Sequence, residues 1–398
     1  MINGNGLTVQ RDRLRLCIVT PVHWKAFMGG AQFQLKCLLD YLRTLDRYDI
    51  HYVARRVPAE RELDGYTIHR IGNSQGMPRF GYSSDFRRLY RVLKELSPDV
   101  IYQRIGCAYT GIAAHYARRH DCGFVWHAAN DTDVQVGLKV QQSNWIRDRL
   151  ERALLSHGIR AADTIVTQTE HQAHLLHKNF GRTPEGVIAN FQPEPVENIS
   201  KARPLRVVWV ANLKRSKQPD AFLRLARHLR DIQDARFVMI GAGARGSGVT
   251  SWHEQLMRDI EAAANVDYLG QLPQDDVNRE LARAHVFVNT SLYEGFANTF
   301  IQAWMRETAV VSLNVNPDGI FDGDAVGFHA GTEARMAEVV RRLLADAALR
   351  ERIAARARQH AMQFHSMQNA GRLEELIRHS AQARSRRGAG TARSRRRA

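Results

Sequence analysis

The sequence predicts an α/β protein of two doubly wound parallel-sheet domains facing a central cleft, and three observations carry that prediction. Short β-branched runs alternate with longer amphipathic stretches along most of the chain. The alternation breaks once, at "FQPEPVENISKARP" (Phe191 to Pro204), where three prolines and polar residues mark a linker, and then restarts. A length of 398 residues is enough for two ordinary domains, each with its own core.

Taken in order, "LRLCIVTP" (Leu14 to Pro21) reads as a buried strand and Ala31 to Leu45 as a helix with apolar residues three and four apart. "DIHYVAR" and "YTIHRIG" read as strands, Asp85 to Leu96 as a helix, "DVIYQRIG" as a strand and Tyr109 to Arg119 as a helix. "GFVWHAA", "TIVTQT" and "GVIAN" continue as strands, with helices at Trp145 to Ala161 and Glu170 to Lys178 between them. Past the linker come "LRVVWVAN", a helix over Gln218 to Arg230, "RFVMIG", a helix over Trp252 to Ala263, "VDYLG", a helix over Asp275 to Ala284, and "HVFVNTS". Met336 to Ala361 reads as one long Ala-rich helix, and Gln368 to His379 as another after a break at "FHSM". The expected domains are 1–195 and 204–365, with a closing helix in 366–383 and an Arg-rich tail over 384–398 that has too few apolar residues to fold.

Composition narrows the function classes. Charges interrupt every apolar run before it reaches the roughly 18 residues a spanning helix needs. "MINGNGLTVQRDRL" lacks the apolar segment of a secretory signal, so the expectation is a soluble cytoplasmic protein. Cys17, Cys37, Cys107 and Cys122 lie far apart without a CxxC pair, which reads as reduced core thiols and no metal site. The formal net charge is +16, and the last 15 residues hold seven arginines and no acid. That tail is either a solvated terminus or a dock for anionic lipid headgroups at the inner membrane face or for an acidic partner. A nucleic-acid binder is a rival reading, but the tail has no aromatics for base stacking and the rest shows no recognised binding module.

The stretch that carries chemistry is "LYEGFANTFIQAW" (Leu292 to Trp304). "HVFVNTS" is the strand before it, "LYEGFAN" the turn, and "TFIQAWMRE" the helix, with Asn298 or Thr299 able to cap it. Open parallel sheets bind ligands at the carboxyl ends of their strands. The amides of Gly295, Phe296, Ala297, Asn298 and Thr299 sit at a helix N-terminus, a ready phosphate site. Because Glu294 lies in the turn and not in the helix, it and Gln302, eight residues on, can both face the cleft.

This pattern resembles the E-x7-E motif of family 4 retaining glycosyltransferases, and "NTFIQAWMRETAVVSLNVNPDG" runs like the segment that follows the motif there. The resemblance implies a GT-B fold, two Rossmann-like domains with the final helix crossing back onto the first. It also implies a metal-independent transfer of a sugar from a nucleoside diphosphate donor to an acceptor hydroxyl with retention, and no cofactor beyond that donor. Carried over, Glu294 faces the donor sugar, the amides hold the diphosphate and Gln302 meets the ribose. Gln302 departs from the usual Glu, offering one acceptor oxygen where a carboxylate offers two. In "WVANLKRSKQPDAF", Lys217 corresponds to the family's diphosphate-binding lysine, while Asn212 stands where an arginine is usual, leaving that contact to Lys214 or Arg215. "FMGGAQFQ" puts Gly29 and Gly30 where missing side chains let backbone approach the donor phosphates, with Gln32 at a position often acidic. "MIGAG" places Gly241 and Gly243 at a strand end walling the nucleotide pocket.

In the first domain "VWHAANDTD" ends a strand with His127, the candidate for sugar or acceptor contact. Asp131 is second to it, and the "DTD" of Asp131 to Asp133 matches a metal motif in spacing only. His171 is a weaker candidate, and loops such as Asn73 to Ser84 are expected to meet the acceptor. Two rivals share the architecture: a sugar-nucleotide epimerase and a catalytically dead binding relative.

Overall fold

The central parallel strands are buried on both faces, and runs such as "LCIV" and "VFV" show it in the sequence. β1 (Leu14–Val22) lies at the middle of the first sheet, with Leu16, Cys17, Ile18 and Val19 wholly covered. The structure, a computed structural model, describes residues 13–60, 62–63, 65–72, 81–135, 145–243 and 249–395, without the side chains of 62 and 384–395. The chain divides into two units, 1–188 with 370–398, and 189–369.

The first unit continues with α1 (Gly30–Arg43), β2 (Tyr48–Arg56), β3 (Glu62–Leu63), β4 (Tyr66–Arg70), α2 (Phe86–Leu96) and β5 (Val100–Arg104). Then come α3 (Ala108–Arg119), β6 (Gly123–His127), α4 (Trp145–Ala161), β7 (Thr164–Thr167), α5 (Glu170–Phe180) and β8 (Gly186–Val187). Among the described residues the sheet order is β3-β4-β2-β1-β5-β6-β7-β8, parallel except for the β3–β4 pair. The chain steps outward from β1 in one direction and then from β5 in the other, so its switch point lies between β1 and β5. Helices α3 and α4 cross closely because glycines meet there. A Cβ on Gly111 would come within 2.3 Å of the Leu154 carbonyl oxygen, and one on Gly158 within 2.4 Å of the Thr110 backbone.

The second unit runs β9 (Leu205–Val210), α6 (Pro219–His228), β10 (Ala235–Ile240), α7 (Ser251–Glu261), β11 (Val266–Tyr268) and α8 (Gln274–Arg283). It continues with β12 (Val286–Asn289), α9 (Asn298–Met305), β13 (Ala309–Ser312), β14 (Phe328–His329), α10 (Glu333–Ala345) and α11 (Ala347–Phe364). Its parallel sheet has the order β11-β10-β9-β12-β13-β14, with the switch point between β9 and β12. The single helix expected over Met336 to Ala361 is two, because Asp346 leaves the helical region and its carboxylate accepts from the Leu349 amide at 2.8 Å, capping α11.

The last helix, α12 (Gln368–Arg395), packs on the first unit: the Tyr48 hydroxyl donates to Glu374 at 2.7 Å, and Gly123 abuts the Ser380 backbone. Its backbone stays helical to Arg395, beyond the expected end at His379 and through most of the segment expected to lack structure, since Ala and Arg both extend a helix already docked. Cys17, Cys37 and Cys122 are buried, and burial pushes the Cys37 and Cys107 thiols up to about 12, which keeps them protonated. Among the described residues no helix is long and apolar enough to cross a membrane.

Candidate functional site

The turns that follow β9 and β12 lie side by side at the switch point of the second sheet, where open α/β sheets take their ligands. Side chains and backbone stitch them together. The Leu292 amide donates to the Ser216 carbonyl at 2.9 Å. The Thr290 hydroxyl accepts from the Trp209 indole at 2.9 Å and faces the carbonyls of Lys217 and Gln218 at 2.7 and 2.9 Å. Gln218 turns the chain into α6 from the left-handed region, φ 45°.

That stitching brings together the two residues expected to act on opposite ends of one bond. Glu294 Oε1 accepts from both Lys217 Nζ and Ser291 Oγ, the latter at 2.8 Å. The pair is partly open, with side-chain exposures of 21% for Glu294 and 25% for Lys217. The carboxylate and the ammonium thus satisfy each other's charge.

The backbone beyond Glu294 is polarised by its neighbours. The Asn190 carboxamide donates to the Phe296 carbonyl at 3.1 Å and that of Gln192 to the Asn298 carbonyl at 2.8 Å. The amides of Gly295, Phe296 and Ala297 donate to no acceptor among the described residues. The N-cap is Ala297, with φ −69° and ψ 118°, and not the expected Asn298 or Thr299, so no side chain occupies the donors. Asn298 and Thr299 are half-buried. Phe296 offers only its backbone, because its ring packs against His365 at 4.8 Å in the core.

Gln192 comes from the segment expected to be a linker, and Asn190 from the end of the strand expected just before it; both are instead part of the second unit. Phe191 is fully buried, and the Gln192 amide donates to the His365 carbonyl at 3.0 Å. Gln302 also departs from expectation. It does not face an open cleft but is 3% exposed within a helix covered on nearly every side, and its carboxamide makes no hydrogen bond among the described residues.

Around this centre, Lys214 and Arg215 are exposed, and Arg215 stacks on the Trp252 ring at 5.0 Å, which aims its guanidinium. Asn212 is half-buried between the turns of β9 and β10. Gly241 has φ 154°, its amide donates to the Gly270 carbonyl at 2.8 Å, and its own carbonyl accepts from the Tyr268 hydroxyl at 2.8 Å. Gly243 lies beside the Tyr268 hydroxyl. The same unit has a cavity of about 670 Å³ lined by Glu197, Arg203, Arg206, Arg279 and Arg283. It opens at the amino ends of the strands, the wrong end of the sheet for such a ligand.

In the first unit, Gly29 and Gly30 follow β1 at that sheet's switch point, and α1 begins at Gly30. Gly29 is extended, φ −122°, so what excludes a side chain there is the Gln32 carboxamide, 2.8 Å from where a Cβ would lie. Asp133 is buried and caps the Ala129 amide at 2.7 Å, with burial lifting its carboxyl to about 6. Asp131 accepts from Gln172 at 3.0 Å, so the two acids of "DTD" serve the turn. His171 is exposed on α5. Of Asn73 to Ser84, residues 73–80 lie outside the described residues.

His127 corrects the expectation most sharply. It is 1% exposed, and its Nδ1 lies 2.8 Å from the Tyr102 hydroxyl and 3.3 Å from Arg104 Nη1. A guanidinium only donates, so Nδ1 accepts and the ring proton sits on Nε2, a buried nitrogen without a partner. Burial, and then the Arg104 charge, hold the imidazole well below its usual range. His127 is therefore a neutral hydrogen-bond donor and not a carrier of protons. Long-range ¹⁵N–¹H correlation should show the Nε2–H tautomer unchanged between about pH 5 and 8; a ring titrating near its usual value would contradict this geometry.

Comparison with known proteins agrees with the fold and the family resemblance. A family profile described as Glycosyltransferase Family 4 matches residues 28–191, and one described as Glycosyl transferases group 1 matches residues 204–346. The chain belongs to the family 4 glycosyltransferases of the GT-B fold. The chain is 27% identical over 165 residues to the phosphatidylinositol N-acetylglucosaminyltransferase gpi3 subunit of Schizosaccharomyces pombe, covering 40% of this chain and 34% of that protein. With the D-inositol 3-phosphate glycosyltransferase of Streptomyces bingchenggensis it shares 25% over 229 residues, 52% of this chain and 50% of the other. The matches thus span half or less of these relatives' lengths. Anabaena HepE, solved with UDP and glucose, superposes with a TM-score of 0.72 at 16% identity, over 92% of this chain and 99% of that one.

Proposed function

We propose that this chain transfers a sugar from a nucleoside diphosphate donor to an acceptor hydroxyl with retention of configuration. The observation that carries the reading is the Glu294–Lys217 pair beside the unpaired amides of Gly295, Phe296 and Ala297 at the sheet's switch point. The amides and Lys217, with Arg215 at the rim, take up the charge that grows on the departing diphosphate. Glu294 stands by the oxocarbenium-like sugar. Gln302 meets the ribose with the end of its carboxamide, and Gly241 lets backbone approach the phosphates. The leaving phosphate oxygen accepts the acceptor's proton as the new glycosidic bond forms.

UDP is the first nucleotide to try, since HepE was solved with it. A donor at a hundredfold excess over its Kd stabilises the folded state by about 2.7 kcal/mol. The melting temperature should accordingly rise by several degrees with one of UDP, GDP or ADP; no shift with any of them overturns the assignment. Conversion of the donor without an acceptor would mark an epimerase, and binding without transfer a catalytically dead relative.

A further inference from the structure

Helix α4 presents an exposed surface on which the proposed transfer places no residue. Trp145, Ile146 and Leu150 are 71%, 61% and 49% exposed, more open than nearly all other large apolar side chains among the described residues. At about 100° per residue they fall on one side of the helix, together with exposed Arg149, Arg152, Ala153 and His157.

The helix carries two acids, and both turn inward. Asp148 is buried against Arg147 at 3.1 Å, and Glu151 accepts the Ser83 amide at 2.6 Å. The outer face is thus apolar and cationic with no carboxylate. A second feature adjoins it: His157 joins His115, Arg118 and Arg119 of α3 in lining a pocket that contains no acid. Arg119 donates to the His115 ring at 2.7 Å, and both arginines of that pocket are exposed. The close glycine crossing of α3 and α4 sets that pocket beside the C-terminal half of the same helix.

We infer that this face of α4 rests on a lipid bilayer rich in anionic headgroups, with Trp145, Ile146 and Leu150 in the headgroup–acyl boundary and Arg149, Arg152 and the α3 arginines on lipid phosphates. Charge complementarity selects this occupant. A second copy of the chain would set the same arginines against one another, whereas an anionic membrane satisfies them while covering the apolar side chains. Trp also favours that boundary, since its ring is apolar and its N–H is polar. The surface is separate from the Arg-rich tail, which supplies charge but no apolar anchor.

The test uses the full chain, tail included, sedimented with vesicles of phosphatidylcholine alone or with about 30% phosphatidylglycerol. Binding should require the anionic lipid. The triple substitution Trp145→Ser, Ile146→Ser and Leu150→Ser should lower the partition coefficient about tenfold or more, with the melting temperature unchanged because all three side chains are exposed. Arg149→Gln with Arg152→Gln should weaken binding and flatten its dependence on salt. A brominated lipid should quench wild-type tryptophan fluorescence more than that of Trp145→Phe. Unchanged partitioning of the triple variant would assign membrane binding to the tail and overturn the inference. So would the absence of vesicle binding, or self-association abolished by the same substitutions without any lipid affinity.

Discussion

Replacing Glu294 by Ala should lower the rate of sugar transfer by about two to three orders of magnitude, the usual cost of removing one preorganised charge from a transition state. The fold should survive. The carboxylate is about a fifth exposed and Lys217 a quarter exposed, so the ammonium left behind can still turn to solvent. Glu294→Gln keeps the shape and a hydrogen bond to Ser291 but loses the charge, so a comparable loss in kcat would show that the charge is what counts. Kinetics alongside circular dichroism check this, and wild-type turnover in Glu294→Ala would remove the residue from the reaction. Lys217→Ala serves as the companion. With the amides of Gly295 to Ala297 still present, it should depress kcat more than nucleotide affinity.

Gly241→Ala should destabilise the second unit by about 3 to 5 kcal/mol, lowering its melting temperature by about 10 °C. Two costs combine. A Cβ there would fall 1.7 Å from the Ala211 carbonyl oxygen, and the backbone sits at φ 154°, which L side chains rarely adopt. Relief by moving Ala211 would shift the turn that carries Asn212, Arg215 and Lys217, so nucleotide binding should weaken even where the protein still folds. Gly270→Ala is the contrast: its φ is +66° but nothing lies within 4 Å of the added carbon, so only strain of about 1 kcal/mol is expected. Calorimetry separates the two, and equal melting temperatures would contradict the contact at Gly241.

Much of this architecture is legible in the chain because doubly covered parallel strands read as apolar runs, as the middle of β1 and β12 do, while helices such as α2 keep an apolar period that buries Leu89 and Leu93. The pairing of Glu294 with Lys217 is foreshadowed by the motifs but made by tertiary contacts from Thr290, Ser291 and Ser216, which no local rule links. Spacing alone misjudges Gln302, since a period of eight fixes direction along α9 but not how thickly other elements cover it. The prolines of 191–204 suggest a free connector. Yet Gln192 is spent on the Asn298 carbonyl, and Lys201 donates to the Ala284 and Arg306 carbonyls at the ends of two helices, at 2.5 and 2.8 Å. The two-residue strands β3, β8 and β14 are too short for any periodicity to register.

The second unit begins and ends at one place: the Asn369 carboxamide donates to the Ala189 carbonyl at 3.1 Å. A module whose two termini touch can be excised, transplanted or replaced without stretching the host chain. Evolution could therefore refit the host with a different cassette by a single exchange at that gate, leaving α12 to close the host sheet as before.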